Sequence, residues 1–487
     1  MKYELRDYQK KAVNTLQQLF RRYRRLLLVS PTGSGKTVIG AKIIEFVADY
    51  KRRVLFLAHR RELISQCSRK LDEFGVDHGI IMSSHPRYRP DCPVQIASVQ
   101  TLINRELPPA DFLIIDECHR SLSDSYQNIA QAYPGKAILG LTATPWRGDG
   151  QGLGSFYENV HVVAQVKELI KEGHLLEPTV YIPHEPDLNG LRIVGGDFVD
   201  REIDAIMNVD PLIGHIVDKW SAIAKGKRTV VFACTIEHSK RIVDEFRKVG
   251  VRAEHLDCNT PTHERDTILN QLKTDETTVV SNVGVISEGF DCPEIECTIL
   301  ARPTKSLSLC LQMIGRGMRP CSWTNKTETT VMDFAGCTIE HGLATDERDF
   351  SLTGCAKSKP RTPKTCPNCC LAVRVDNRIC PKCGCTLMLN SPEYTKQEIV
   401  AQPWILCRVK CIKCGSTKLS KQETNVKYGT ARKCDDCGEL MFLVNWNANY
   451  ASDIESMEDY NELKKIQKEN NLPNDWARFK YFDIFSG

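Results

Sequence analysis

Residues 26–37, Leu-Leu-Leu-Val-Ser-Pro-Thr-Gly-Ser-Gly-Lys-Thr, constrain what this chain can fold into more than any other stretch. Leu26, Leu27, Leu28 and Val29 predict a short buried strand. The apolar recurrence of Val38, Ile39, Ile43, Ile44 and Val47 predicts a helix directly after it. The turn between them carries Thr32, Gly33, Ser34 and Gly35 and ends in Lys36 and Thr37. Backbone N–H groups in such a turn form a nest for an anion at a helix N-terminus, where the helix dipole already favours phosphate. Lys36 would then reach the β/γ-phosphates of a nucleotide, and the Thr37 hydroxyl would ligate Mg²⁺. The strict phosphate-loop pattern has Gly where this chain has Ser30, so an ordinary strand–turn–helix is the competing reading.

At 487 residues the chain is too long for one core, and two or three domains are expected. The net charge is only +4, so any nucleic-acid contact must be local. The sequence contains neither an apolar run of membrane-spanning length nor a signal-peptide core, which predicts an intracellular, cytoplasmic protein without membrane contacts. In that reducing setting the 22 cysteines suggest metal rather than disulfides, and twelve of them lie from Cys355 onward.

In chain order, Arg6, Tyr8 and Gln9 open an amphipathic helix that runs to about Phe20. Gln9 is a candidate for hydrogen-bonding both edges of adenine, with Arg6 beside it. Residues 54–58 form a second apolar run, followed by His59-Arg60-Arg61 at the strand end where open α/β sheets bind ligands. Arg60 could hold a nucleic-acid phosphate or cap the next helix. Residues 94–102 read as another strand with Gln100 and Thr101 at its end. The run Phe-Leu-Ile-Ile at 112–115 delivers Asp116 and Glu117 to the sheet edge. Asp116 would complete the Mg²⁺ shell opposite Thr37, and Glu117 would orient and deprotonate the attacking water. A further strand at 137–141 leads into Thr142-Ala143-Thr144.

Together Tyr8-Gln9, Thr32 to Thr37, Asp116-Glu117-Cys118-His119 and Thr142-Ala143-Thr144 resemble the first core domain of a superfamily 2 helicase of the DExH type. That family accepts a small residue at Ser30. The resemblance implies that His119, Thr142 and Thr144 couple the ATP site to the nucleic-acid site. It also implies nucleic-acid contacts at Arg60, Gln100, Thr101, Thr235 and Ser287, and nucleotide contacts at Gly289 and Asp291. A second α/β unit begins near residue 228, after a Pro/Gly/Asp-rich stretch at 183–200 read as a surface hairpin. Gln312, Arg316 and Arg319 match the family's sixth motif. Two arginines three apart share a helical face, and they would reach ATP from the second domain as arginine fingers in cis, a contribution of ~10³–10⁵ in rate. The resemblance covers roughly residues 1–350 and is nearest to RadD-like DNA-repair helicases and related phage helicases.

The basic linker is followed by Cys366-x₂-Cys369-x₁₀-Cys380-x₂-Cys383 and by Cys411-x₂-Cys414-x₁₉-Cys434-x₂-Cys437. Paired Cys-x₂-Cys turns bind Zn²⁺ tetrahedrally, which predicts two ions. Cys370, Cys385 and Cys407 are spare thiols, any of which could replace a ligand. The expected architecture is two tandem RecA-like α/β domains (1–165 and 166–350), a linker (351–365), two zinc-ribbon-like modules (366–445), and a C-terminal helix with an aromatic tail (446–487) that packs back or meets a protein partner. The expected activity is ATP hydrolysis coupled to movement on, or remodelling of, nucleic acid, with DNA ahead of RNA, in repair, recombination or replication. An RNA helicase and an ATP-gated binding or annealing module remain the alternatives.

Overall fold

A computed structural model describes residues 4–146 (the Arg120 side chain excepted), 150–286, 292–354 and 362–387, together with the backbone of three strands at 419–422, 429–434 and 440–444. The chain forms two units, Met1–Asn390 and Ser391–Gly487. Ser287, Gly289, Asp291, Cys407, Cys411, Cys414, Cys437, residues 355–361 of the linker and the C-terminal tail lie outside the described residues.

The first unit opens with α1 (Asp7–Leu19), β1 (Arg25–Val29), α2 (Lys36–Asp49), β2 (Val54–Ala58), α3 (Arg61–Phe74), β3 (Gly79–Ile81), β4 (Val94–Ser98), α4 (Val99–Leu102), β5 (Phe112–Asp116), α5 (Asp124–Gln131), β6 (Ala137–Thr142) and β7 (Asn159–Val162). Its seven strands pair in the order β3-β4-β2-β5-β6-β1-β7, all parallel. Leu26 and Leu28 pack into one core cluster and Leu27 and Val29 into another. Successive side chains of a strand point to opposite faces, so a sheet covered on both faces needs an unbroken apolar run. That is why residues 26–29 are apolar without alternation.

After α6 (Val166–Lys171) come β8 (Pro178–Tyr181), β9 (Ile193–Val194), β10 (Asp197–Phe198), α7 (Asp200–Met207), α8 (Asp210–Ile223), β11 (Thr229–Phe232), α9 (Ile236–Lys248), β12 (Ala253–Leu256), α10 (Thr262–Thr274), β13 (Val279–Asn282), β14 (Cys297–Leu300), α11 (Leu307–Gly317), β15 (Thr329–Asp333) and α12 (Cys337–His341). Six of these strands form a second parallel sheet, β12-β13-β11-β14-β15-β8. The stretch at 183–200 does contain a hairpin, β9 paired antiparallel with β10. The second sheet takes in β8, which lies upstream of the α/β run that begins near residue 228 and inside the 166–350 span. The segment read as the start of the linker instead folds back on the first domain. Phe350 and Leu352 pack against its core, and Leu352 O accepts the Gly154 N–H at 2.9 Å.

The hairpin of β16 (Lys364–Thr365) and β17 (Ala372–Val373) abuts β8, where Tyr181 bridges to Leu371 and Ile182 N donates to Cys370 O at 2.7 Å. In the second unit β18 (Leu419–Gln422), β19 (Gly429–Cys434) and β20 (Leu440–Val444) form an antiparallel meander, and Cys434 closes its central strand. Among the described residues no helix is long and apolar enough to cross a membrane.

Candidate active site

The turn between β1 and α2 needs two left-handed residues to aim its N–H groups inward. Gly33 (φ 88°) and Gly35 (φ 84°) supply them without a Cβ penalty. Ser30 stands where the strict pattern has Gly, and it is put to use. Its hydroxyl shares a 2.6 Å hydrogen bond with Ser34 Oγ, and its N–H donates to Thr142 O at 3.0 Å. The loop is therefore tied to the Thr-Ala-Thr segment at the end of β6. There the Thr142 hydroxyl donates to Thr144 O at 2.7 Å and accepts the Thr144 N–H at 3.2 Å.

Behind the loop, α1 presents Tyr8 and Gln9. The Tyr8 hydroxyl donates to Ser34 O at 2.7 Å and Gln9 Nε2 donates to the same oxygen at 3.1 Å. Gln9 Oε1 accepts the Arg6 N–H at 3.0 Å, closing a box at the helix N-terminus. Here, then, Gln9 spends its amide on the phosphate loop and its own helix start, with Arg6 and His174 lining the neighbouring cleft.

The acidic pair sits at the carboxyl end of β5, facing Lys36. Lys36 Nζ donates to Glu117 Oε1 at 3.0 Å, and His119 Nδ1 lies 3.4 Å from Glu117 Oε2. Burial alone would push the Glu117 carboxyl up, but Lys36 and then His119 outweigh it and hold it well below the usual carboxylate range. It is an anion at neutral pH. Its backbone is left-handed (φ 47°, ψ 51°) and its N–H donates to Asp116 Oδ1 at 3.0 Å. A non-glycine residue held there stores about 1–3 kcal/mol, and such strain gathers at functional positions.

From the second domain α11 brings Gln312 and Arg316 to the same cleft, and Arg319 reaches it from the turn just past the helix end at Gly317, not from a shared helical face. The cleft encloses about 470 Å³ and is also lined by Thr32, Thr37 and Asp116. The approach is close enough to require glycine. A methyl added at Gly315 would come within 2.6 Å of Thr32 Cβ, and one at Gly33 within 3.3 Å of Arg319 Cγ. Gln312 Nε2 and Thr32 Oγ1 are buried without a hydrogen-bond partner. Orphaned polar atoms in a cationic, glycine-lined cleft fit a polyphosphate, and the oxygens of Thr37 and Asp116 fit a hard divalent cation. The cleft also takes in Gln66, Lys70, Pro293 and Trp323, none of which belongs to a spaced motif, so no sequence signal marked them.

A second cleft of about 600 Å³ lies between the domains and shares Gln312 with the first. Its walls include His59, Arg60 and Gln100 from the first domain and Asn282, Gly284 and Arg302 from the second. Arg60 reaches across to donate to Gly284 O, and Glu62 beside it pairs with Arg265 of α10. Gln100 Nε2 donates to His59 O at 2.9 Å, and Thr101 is half-buried on α4. Thr235 does not line this cleft. Its hydroxyl donates to Asp204 Oδ1 at 2.5 Å and caps α9 by accepting the His238 N–H at 3.2 Å.

Near β8, the thiols of Cys366, Cys369, Cys380 and Cys383 all lie within 4.8 Å of one another. Cys366 Sγ is 3.5 Å from Cys383 Sγ, and Cys369 Sγ is 3.6 Å from Cys380 Sγ. Tetrahedral Zn²⁺ with bonds of ~2.3 Å separates its sulfurs by ~3.8 Å, so this set fits the ion with small adjustment. Cys370 (φ 59°) occupies in the first turn the left-handed position that Gly384 (φ 69°) occupies in the second. Its role as a spare thiol is thereby explained, since that position shapes the turn.

The sequence matches two family models. Residues 2–147 match the res subunit of type III restriction enzymes and residues 210–321 the helicase conserved C-terminal domain. A 51.5 kDa protein of a Lactococcus phage is 32% identical over 366 residues, 74% of this chain and 77% of that one. IRC3 of Saccharomyces cerevisiae, which carries the name of an ATP-dependent helicase, is 32% identical over 358 residues, 68% of this chain and 51% of that one. The DNA 3'-5' translocase XPB2 of Sulfurisphaera tokodaii is 25% identical over 356 residues, 65% of this chain and 79% of that one. This chain thus spans about half the length of the yeast relative and over three quarters of the other two. With both motif sets of one ATP cleft in place and these relatives sharing both domains, the chain belongs to the superfamily 2 helicases of the DExH type, a family of ATP-hydrolysing enzymes.

Proposed function

We propose that this enzyme couples ATP hydrolysis to movement on, or remodelling of, DNA, and that it acts in repair, recombination or replication. The observation that carries the reading is the cleft in which Lys36, Asp116 and Glu117 of one sheet face Gln312, Arg316 and Arg319 of the other. The phosphate-loop N–H groups and Lys36 hold the nucleotide, and Thr37 and Asp116 would hold Mg²⁺, which would neutralise phosphate charge. Lys36 turning to phosphate releases its bond to Glu117. The freed carboxylate, still beside His119, then orients water and accepts its proton. Arg316 and Arg319 meet the charge that grows at the γ-phosphate, and only when the domains are closed. Hydrolysis therefore reports on closure, and closure changes the second cleft.

That second cleft supports the nucleic-acid side of the reading. It carries Arg60 and Gln100 at strand ends of the first domain and Asn282 and Arg302 from the second, and it shares Gln312 with the ATP cleft. The carried-over contacts at Gly289, Asp291 and Ser287 belong to the same proposal, as do two structural Zn²⁺ ions, one held by Cys366, Cys369, Cys380 and Cys383 and one by Cys411, Cys414, Cys434 and Cys437. DNA is preferred to RNA because a relative sharing both domains is a DNA translocase. The test is ATPase stimulation by single-stranded, forked and branched DNA and by RNA of matched length, followed by strand displacement on whichever stimulates. Stimulation by RNA alone would overturn the DNA reading. Stimulation without displacement or translocation would leave the ATP-gated binding module.

A further inference from the structure

The loop that leaves α11 turns back beneath it. Asn325 is left-handed (φ 53°), and Lys326 pairs with Cys321 across the turn, its N–H donating to Cys321 O at 3.2 Å. The turn sends the Lys326 side chain inward, where the residue is only 7% exposed. Its ammonium donates to Gly317 O at 2.5 Å, to Arg319 O at 2.9 Å and to Pro293 O at 3.1 Å. An ammonium has three N–H donors and no acceptor, so this set of carbonyls uses it completely. Gly317 ends α11, where carbonyls lack intrahelical partners and carry the negative end of the helix dipole. From the same loop Trp323 Nε1 donates to Glu294 Oε1 at 3.1 Å, a second tie to the segment that enters β14.

Burying an ammonium costs several kcal/mol. A loop that only had to cover a helix end could do so with an apolar residue or an amide. The three carbonyls are also not scattered. One is the carbonyl of Arg319 itself and another that of Gly317, two residues before it, and Arg319 packs close to Gly33 of the phosphate loop. We infer that Lys326 is a positioning residue for Arg319, its ammonium fixing the backbone that carries this arginine and bracing it against the segment before β14. The inference rests on the reading of Arg319 as a group that meets the γ-phosphate.

Besides its three carbonyls, Lys326 faces Cys321 on its own loop, Cys292 and Glu296 on the segment around the start of β14, and Arg319. Burial pulls its pKa down to about 8. Above that pH the amine keeps two N–H donors and turns a lone pair toward one of three carbonyl oxygens, so the brace loosens. The linkage has the opposite sign for stability. A lysine whose folded pKa lies below its unfolded value leaves the unfolded chain holding more protons between the two, so this group makes folding more favourable as pH rises through that window. A fall in activity there cannot come from Lys326 unfolding the protein.

The experiment measures kcat and KM for ATP on the full chain from pH 6.5 to 9.5, with thermal melts at each pH, for wild type, Lys326→Met and Arg319→Ala. The expected result is a wild-type kcat that falls through about pH 8 while the melt holds. Lys326→Met should show a kcat lowered by about tenfold or more at pH 7 with KM changed by less than about threefold, and no alkaline fall of its own. If Arg319→Ala abolishes turnover but Lys326→Met keeps wild-type kcat and the same alkaline limb, the inference fails and the reading of Arg319 stands. If Arg319→Ala turns over at the wild-type rate, that reading fails and takes the inference with it. Should Lys326→Met not fold, the same kcat, KM and melt comparison on Lys326→Gln decides: a kcat lowered by about tenfold or more with KM nearly unchanged supports the brace, and a wild-type kcat overturns it.

Discussion

Replacing Gly315 by Ala separates the stability of the second domain from its ability to close on ATP. Gly315 lies inside α11 with ordinary helical backbone, where Ala is favoured over Gly by about 1 kcal/mol. Judged on the helix alone, the change stabilises. The added methyl, however, would come within 2.6 Å of Thr32 Cβ and 2.7 Å of Thr32 Cγ2. Carbon atoms pack best at ~3.5–4.0 Å, so the two domains must part by about 1 Å at this point. A rotamer change at Thr32 moves Cγ2 but not Cβ, which the phosphate loop fixes. Overpacking of this kind costs about 1–3 kcal/mol, and it falls on the arrangement in which Arg316 and Arg319 line the cleft beside the phosphate loop, where we propose that they meet the nucleotide. The corresponding loss in kcat is ~5- to 150-fold, in line with the ~10²-fold that a 1 Å misplacement can cost. Steady-state ATPase and a thermal melt on the same sample make the assay. The expected outcome is a large fall in kcat with an unchanged or higher melting temperature, and a partial return of kcat when Thr32→Gly is added. A Gly315→Ala protein with kcat within about twofold of wild type would refute the close-approach argument.

Glu117→Gln should retain ATP binding and lose ~10²–10⁴-fold in turnover, which equilibrium nucleotide binding and single-turnover hydrolysis resolve. Because Lys36 and His119 hold the Glu117 pKa below its unfolded value, its contribution to stability is full above the usual carboxylate pKa and is lost as pH falls through the lower, folded one. The stability difference between wild type and Glu117→Gln, measured by denaturation, should therefore shrink only in acid, and a difference that shrinks between pH 6 and 7 would contradict the anionic assignment. Changing Cys366 and Cys383 to Ser should lower zinc content by about one ion per chain. It should also lower the melting temperature of the second domain, because the Cys-rich hairpin pairs with Tyr181 and Ile182. Unchanged zinc content would remove these residues from the ligand set.

The ATP half of the site was legible because its chemistry is local. A phosphate nest needs consecutive residues, so Gly33 to Thr37 spell it out, and a buried strand followed by two carboxylates announces Asp116 and Glu117 at a sheet edge. The first cysteine cluster was legible for the same reason, since two Cys-x₂-Cys turns bring Cys366, Cys369, Cys380 and Cys383 together as a set that could hold a metal. Gln9 shows where local reading stops. Its position was clear, but its side-chain amide is engaged by Ser34 O and the Arg6 N–H, partners that only the packing of α1 against the loop selects. Thr235 likewise serves as a helix cap bonded to Asp204.

What the sequence by itself determined is the set of short-range devices: apolar runs that must be doubly covered, glycines where φ must be positive, and thiolates spaced for one ion. Tertiary structure decided which distant segments meet. Gly315 against Thr32, Glu62 against Arg265, the hairpin of Cys366 on β8, and Lys326 beneath Arg319 are all pairings between segments far apart in the chain or joined by a turn that reverses direction. Such contacts leave no period or spacing in the sequence, because their energy comes from burial and hydrogen bonds formed only after the two sheets have assembled and faced each other.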